Sequence, residues 1–388
     1  MQNKSQCCGC GACMNACKRK AIVMQEDKEG FLYPQVNKAL CNNCNLCKRV
    51  CPFLNPHVTK IDDVNIYCAK NKNLYQRINS SSGGIFPIIA YRLFKKGFIV
   101  AGAVFDKKWN VVHQIVESKE DIPKLFRSKY VQSNTLNIFK DVKRRLDLGE
   151  KVLFSGTPCQ SFALKLFLRK KYPNLFVVDI ICHGVPSPMV WQKYLQEKSE
   201  DYGETKENIS QVNFKIKDSS KKYYWRRPGF NILWKSGSEF SSFGNATSYE
   251  NGFLTNLFVR PSCHNCKIKG ISSGSDVTIG DFWGCDVVKP NFEDSNGVSL
   301  IFVNTEKGRK LFEEIQCELF FSALDKEEAI LHNNKIIICG RPHVNRKKFF
   351  KQIDKRLDRL VPELVKVNRF QKMMLRLKLS FNKHLRNK

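Results

Sequence analysis

Apolar residues change their spacing from segment to segment along this chain, and each spacing predicts an element. Residues 65–69 run apolar enough for a first strand. Residues 98–105 and 111–117 flank the polar stretch 106–110 and read as two hairpin strands. Residues 85–96 carry apolar positions at helical spacing despite Pro87 near the first turn, and 121–126 opens a short helix. A helix over 138–148 should end at Gly149. Then come a compact strand at 151–155, a helix at 161–171, an apolar strand at 175–182 and a helix from Pro188. Strand, helix, strand, helix at this interval predicts a parallel α/β unit.

Beyond it, 209–216 and 229–234 read as strands of an added β section, joined by the basic, aromatic segment 221–227. Residues 247–259 are expected to be helical, 275–280 and 297–303 to be strands, and 305–315 a helix. The end of the chain repeats apolar residues at helical spacing: Phe350, Ile353, Leu357, Leu360, then Leu364, Val367, Phe370, Met374 and Leu377. Residues 53–63 read as a linker. The loop Asn79-Ser80-Ser81-Ser82-Gly83-Gly84 before the helix at 85 has two readings, an anion site at a helix N-terminus or an ordinary cap.

Charge adds an uneven bias. The formal net charge is +29 over 388 residues, and the stretch from Arg341 onward has sixteen Lys/Arg against three Asp/Glu, a balance of +13. Such a surplus suits an acidic partner: an anionic cofactor, a nucleic acid, an anionic membrane surface or an acidic redox protein. The longest uncharged apolar stretch, 97–105, is far below the ~18 residues that span a bilayer. No apolar leader precedes the first cysteines, so a soluble, cytoplasmic protein is expected, with the basic end either touching a membrane periphery or forming a solvated helix face.

Cysteine spacing carries the chemistry. Cys7, Cys10, Cys13, Cys17 and Cys41, Cys44, Cys47, Cys51 repeat one pattern, Cys-x2-Cys-x2-Cys-x3-Cys, and Pro52 follows the second copy. Three cysteines of each run fit one [4Fe-4S] cluster while the fourth ligates the other. Cluster one would take Cys7, Cys10, Cys13 and Cys51; cluster two would take Cys41, Cys44, Cys47 and Cys17. Gly9 and Gly11 would relieve crowding against inorganic sulfide, and Cys8 is surplus. Zinc or a disulfide scaffold is the weaker reading, because zinc favours two separated pairs. Four further cysteines occupy loop settings: Cys159 after Gly156-Thr157-Pro158, Cys182 before His183-Gly184, and the pair Cys263 and Cys266. They would complete a third four-cysteine site, with zinc, aided by His264 or His183, and unconnected buried thiols as the alternatives. Cys68, Cys317 and Cys339 read as ordinary buried cysteines and Cys285 as a spare.

The segments Ser81-Ser82-Gly83-Gly84, Ser128-Lys129-Tyr130-Val131-Gln132-Ser133, Phe154 to Gln160, Ile181 to Pro188, Cys263-x2-Cys266 and Thr278 to Gly284 together resemble the coenzyme F420 hydrogenase/dehydrogenase beta-subunit family, in its bacterial branch with a fused ferredoxin. The resemblance implies an α+β protein, with a two-cluster ferredoxin module at 1–56 and an α/β flavin-binding and iron-sulfur domain at 64–345 with the added β section; the basic amphipathic helical tail expected at 346–388 from spacing and charge is the part least like the family. It implies FAD and a third [4Fe-4S] cluster held by Cys159, Cys182, Cys263 and Cys266. Ser81, Ser82, Gly83, Gly84 and Thr157 would bind cofactor, and Lys129, His183 and Asp281 would be the catalytic candidates. The expected function is an oxidoreductase coupling hydride exchange at a flavin, with F420 or another organic substrate in a setting such as polysaccharide biosynthesis, to one-electron transfer through clusters. Its partners would be a ferredoxin-like redox protein and a small-molecule hydride donor or acceptor. An electron-transfer adaptor without its own substrate site is the alternative. Nucleic-acid binding through the bases and aromatics of 221–227 fits a redox scaffold poorly.

Overall fold

The computed structural model describes residues 3–56, 64–217, 225, 229–244 and 246–366. The expected linker at 57–63, the basic segment 221–227 apart from Trp225, and the apolar positions from Val367 onward lie outside them. Among the described residues no helix is long and apolar enough to cross a membrane.

The N-terminal unit is built on an antiparallel hairpin, β1 (Ile22–Glu26) and β2 (Leu32–Val36). Asp27 shapes its turn by accepting from the amides of Glu29 and Phe31, both at 3.0 Å. Two short helices, Ala12–Ala16 and Leu46–Arg49, follow the first cysteines of each run. The unit is tied to the rest of the chain: Arg346 clamps the Glu29 carboxylate at 2.8 and 2.6 Å, and the Ser187 hydroxyl donates to the Glu29 carbonyl at 2.6 Å.

An eight-stranded mixed sheet forms the centre. Its strands are β3 (Asn65–Asn71), β4 (Phe98–Phe105), β5 (Val111–Val116), β6 (Lys151–Gly156), β7 (Leu175–Ile180), β11 (Val277–Asp281), β12 (Ser299–Val303) and β13 (Leu319–Leu324), in the spatial order β13-β3-β12-β11-β7-β6-β4-β5. The four strands β4, β6, β7 and β11 are parallel neighbours. Parallel strands covered on both faces read as continuous apolar runs. Accordingly Val152, Leu153 and Phe154 are all fully buried, with Leu153 facing one core and its two neighbours the other. The helices Ile85–Lys95 and Glu306–Ile315 cover the first face; Ile138–Asp147 and Pro158–Leu168 cover the second.

A second layer has three antiparallel strands, β8 (Ile209–Ile216), β9 (Gly229–Trp234) and β10 (Glu239–Ser242). These strands and the helices Pro188–Asp201, Ser248–Leu254, Arg346–Lys351 and Leu357–Val365 enclose an aromatic core. The tail expected from 346 thus begins inside this core, with Phe349, Leu357, Leu360 and Val361 fully buried. Trp191 sits at its centre, 5.1 Å from Tyr249 and 5.3 Å from Phe214, and its indole N–H donates to the Trp109 carbonyl at 2.8 Å. Trp191→Ala is therefore expected to cost about 3–5 kcal/mol, read as a fall in the urea or thermal midpoint.

Two expected elements differ for local reasons, and one strand was not expected. The helix expected from Ser161 begins at Pro158, because Thr157 caps it: the Thr157 amide donates to Gln160 Oε1 at 3.0 Å, and Pro158 stands at the first helical position. The helix expected through Val259 stops at Leu254 because Asn256 turns into left-handed backbone at φ +63°. Strand β13 had no expectation at all, being a half-exposed edge paired only with β3.

Candidate redox centre

Parallel strands β6 and β7 end side by side, and the chain leaves both toward one small cavity. Cys159 lies in the first turn of the helix Pro158–Leu168, and Cys182 lies just past β7. The turn Pro261–Asn265 brings Cys263, with Cys266 immediately after it. All four thiols line the cavity, with Cys8 of the N-terminal unit as a fifth. Gly184 permits this closeness: a Cβ there would lie 2.8 Å from Val259 and 3.3 Å from Cys263.

The donor set suits a cluster. No carboxylate lines the cavity, and none of the seventeen cysteines is in a disulfide. Burial pushes the Cys182 thiol up to about 11 and the Cys266 thiol up to about 12, so only a bound cation would hold them as thiolates near neutral pH. Among the described residues no three His, Cys, Asp or Glu side chains converge as a single metal ion requires. One zinc would draw its sulfurs to within about 4 Å of one another, from Zn–S bonds of about 2.3 Å, whereas a cubane holds its ligands farther apart. One ring nitrogen of each nearby histidine is engaged: His183 Nε2 lies 2.9 Å from Asn256 Oδ1, and His264 Nδ1 donates to the Gly340 carbonyl at 2.8 Å, while His264 Nε2 is buried without a hydrogen-bond partner.

In the N-terminal unit, Cys13 and Cys51 feel the charges of Cys7 and Cys47, and burial raises Cys13 to about 12. Cys10 is buried beside Cys8 and within electrostatic reach of Cys159. Cys44, in the second run, is exposed. Gly9 and Gly11 are crowded by protein: a Cβ on Gly9 would meet the Arg260 guanidinium at 2.7 Å, and one on Gly11 would meet Thr135 Oγ1 at 2.6 Å. Both have left-handed backbone, φ +68° and +70°.

A second cavity of about 920 Å³ opens between the two layers. Phe105 and Trp109 from the β4/β5 hairpin, Tyr91, Phe126 and Phe214 give it aromatic walls, and Arg127, Lys129, Lys119 and Lys124 give it positive charge. Lys129 Nζ donates to the Phe126 carbonyl at 3.0 Å, and no ion pair holds it among the described residues. Desolvation brings its ammonium down to about 7.

The expected site residues divide among different places. Lys129 lines the large cavity; Thr157 and His183 line the cysteine cavity. Asp281 lines neither and pairs with Lys215 instead. The loop Ser81 to Gly84 is packed on the sheet end. Its Ser82 hydroxyl donates to Val298 O, Gly83 N donates to Ser299 Oγ, and Lys217 donates to Ser82 O. Ser81 Oγ accepts from the Ser128 amide at 2.7 Å, which fixes the neighbour of Lys129. Sequence reasoning missed Arg260, Gln132 and the aromatic cavity walls.

Residues 149–328 match the family model for the C terminus of the coenzyme F420 hydrogenase/dehydrogenase beta subunit, and residues 6–55 match the 4Fe-4S dicluster domain. Over residues 149–328 the chain is thus similar to the coenzyme F420 hydrogenase/dehydrogenase beta-subunit family. Its N-terminal unit is an iron-sulfur domain. One relative is a coenzyme F420-dependent sulfite reductase of Methanocaldococcus jannaschii, 24% identical over 316 residues. That match takes in 79% of this chain and 45% of the relative, so the chain spans less than half of that protein's length. The ketoisovalerate oxidoreductase subunit VorC of Methanothermobacter marburgensis is 30% identical over 66 residues, which is 16% of this chain and 84% of that protein. A chain of the F420-reducing [NiFe] hydrogenase complex from Methanosarcina barkeri superposes with a TM-score of 0.46 at 18% identity, covering 78% of this chain and 90% of that chain.

Proposed function

We propose that this chain is an iron-sulfur flavoprotein oxidoreductase, with hydride exchange in the large cavity and single-electron transfer through the cysteine cavity to the N-terminal cysteines. The reading rests on the course of one segment. Ser128 and Lys129 wall the large cavity, and Gln132 walls the cysteine cavity. Gln132 stands only three positions after Lys129, a reach of at most about 11 Å of extended backbone. Electron relay between neighbouring sites needs such proximity.

A flavin supplies the conversion between two-electron hydride chemistry and one-electron transfer. Phe105 and Trp109 offer ring faces for stacking, while Lys129 and Arg127 hold anionic groups. Cys159, Cys182, Cys263 and Cys266 hold the third cluster. Cys7, Cys10, Cys13 and Cys51 hold the inner N-terminal cluster, next to Cys159. Cys41, Cys44, Cys47 and Cys17 hold the outer one, where Cys44 meets solvent. The F420-dependent relative makes a deazaflavin the first organic partner to try. Anaerobically purified protein is expected to carry about twelve iron and one flavin per chain. Zinc in place of iron would overturn this reading, and iron without flavin would turn it toward an electron-transfer adaptor.

The outer cluster also indicates its partner. Lys18, Arg19, Lys20, Lys38, Lys48 and Arg49 are exposed, and residues 18–20 and 37–49 contain no Asp or Glu. An acidic ferredoxin-like protein would be steered to this face. Reversing Lys18, Arg19 and Lys20 to Glu is expected to slow reduction of such a partner about tenfold or more at low salt, with little effect at high salt. Stopped-flow measurement across ionic strength checks it.

A further inference from the structure

Arg260 is fully buried, yet none of its partners is acidic. Its Nε donates to the Cys7 carbonyl at 2.7 Å, and its two terminal nitrogens donate to Gln132 Oε1 at 2.9 Å and the Leu32 carbonyl at 2.8 Å. One terminal nitrogen also lies 3.7 Å from Cys7 Sγ. The guanidinium is sandwiched against Tyr33 at 4.3 Å and Phe31 at 5.3 Å. Among the described residues no carboxylate forms an ion pair with it.

Carbonyl oxygens and ring faces satisfy its N–H groups but leave a full positive charge enclosed, and buried charges require compensation. The anionic groups available are cysteine sulfurs. Cys7 is in direct contact, and the same charge reaches the Cys159 thiol. The surrounding structure is shaped to the guanidinium. Gly9, between Cys8 and Cys10, leaves the space it occupies. Gln132, which accepts from it, donates in turn to the Cys8 carbonyl at 2.9 Å. Arg260 also starts the turn that carries Cys263, whose amide donates to the Arg260 carbonyl at 3.0 Å.

We propose that Arg260 is the built-in counter-ion of the inner N-terminal cluster, hydrogen-bonded to its Cys7 ligand and set between that cluster and the third. This rests on the ligand assignment of Cys7 given above. Net charge and hydrogen bonds to sulfur are among the determinants of cluster potential. Reduction adds one electron to the cluster, with no bond made or broken, and a fixed cation favours the reduced form. Arg260 is thus a positioning and tuning residue that raises the inner cluster's midpoint.

The test is an EPR-monitored dithionite titration of the full-length, iron-loaded protein. Arg260→Gln is expected to lower the midpoint so that the reduced-to-oxidised ratio at a fixed potential falls at least tenfold, about 59 mV for one electron. Arg260→Lys should recover most of the shift. Gln132→Glu keeps the arginine and sets a carboxylate against it, so it should lower the midpoint too and stands in if Arg260→Gln fails to fold. Loaded Arg260→Gln or Gln132→Glu with an unchanged midpoint would overturn the proposal. Wild-type protein lacking N-terminal cluster signals would instead overturn the ligand assignment.

Discussion

Cys263→Ala is expected to lower the iron content from about twelve to about eight per chain, with the signals of the N-terminal pair retained. The effect should be this selective because Cys263 serves only the cavity at the ends of β6 and β7, whereas the N-terminal cysteines occupy a separately built unit. Transfer from the large cavity to an external acceptor should drop to background, since Cys159 and Cys8 mark where the two sets meet. Cys68→Ala is the control: Cys68 is fully buried, but it sits on β3 and its thiol faces Ser322. Iron analysis and EPR of both variants check the expectation. Equal iron in Cys263→Ala and wild type would remove the third cluster.

Lys129→Met should produce the second large effect. Its ammonium lines the aromatic cavity with no ion pair among the described residues, and desolvation holds it at about 7, well below the ordinary lysine value. Below pH 7 the group is a cation able to hold an anionic ligand or donate a proton. Above pH 7 it is neutral, so affinity for an anionic ligand should fall about tenfold per pH unit. Lys129→Met should therefore bind weakly with a flat pH profile, and kcat/KM should fall about 10²–10⁴-fold if the lysine also moves the proton. Lys129→Arg should restore binding while staying flat, because arginine does not titrate in this range. Flavin affinity measured from pH 6 to 9 distinguishes the three proteins.

Much of this was legible from residue spacing. The doubled cysteine run and the apolar strands at 151–155 and 175–182 declared themselves because ligand spacing and double-sided burial both leave local patterns. The grouping of Cys159, Cys182 and the Cys263/Cys266 pair was legible as four loop cysteines. It became a cavity only through the adjacency of β6 and β7. What spacing could not reveal are contacts made across the fold. Arg260 follows the apolar run Leu257-Phe258-Val259, and its burial was the one available signal, but its partners lie 128 and more positions away. The aromatic cavity draws Phe105 from one layer and Phe214 from the other, so no single stretch carries it. The Ser81 to Gly84 loop looked like an anion cradle because its composition is the same as that of a structural turn. Here the Ser82 hydroxyl, the Gly83 amide and the Ser81 hydroxyl are engaged by Val298, Ser299 and Ser128.

Hydride chemistry in the large cavity should be joined to the N-terminal cysteines by the cysteine cavity between them. Rapid mixing of the oxidised, flavin-loaded protein with a reduced deazaflavin, followed by freeze-quench EPR, tests it most directly. The account predicts that cluster signals rise as the flavin absorbance recovers, and that Cys263→Ala bleaches its flavin but leaves the N-terminal clusters oxidised. Flavin reduction with silent clusters in the wild-type protein, or unchanged cluster reduction in Cys263→Ala, would contradict it.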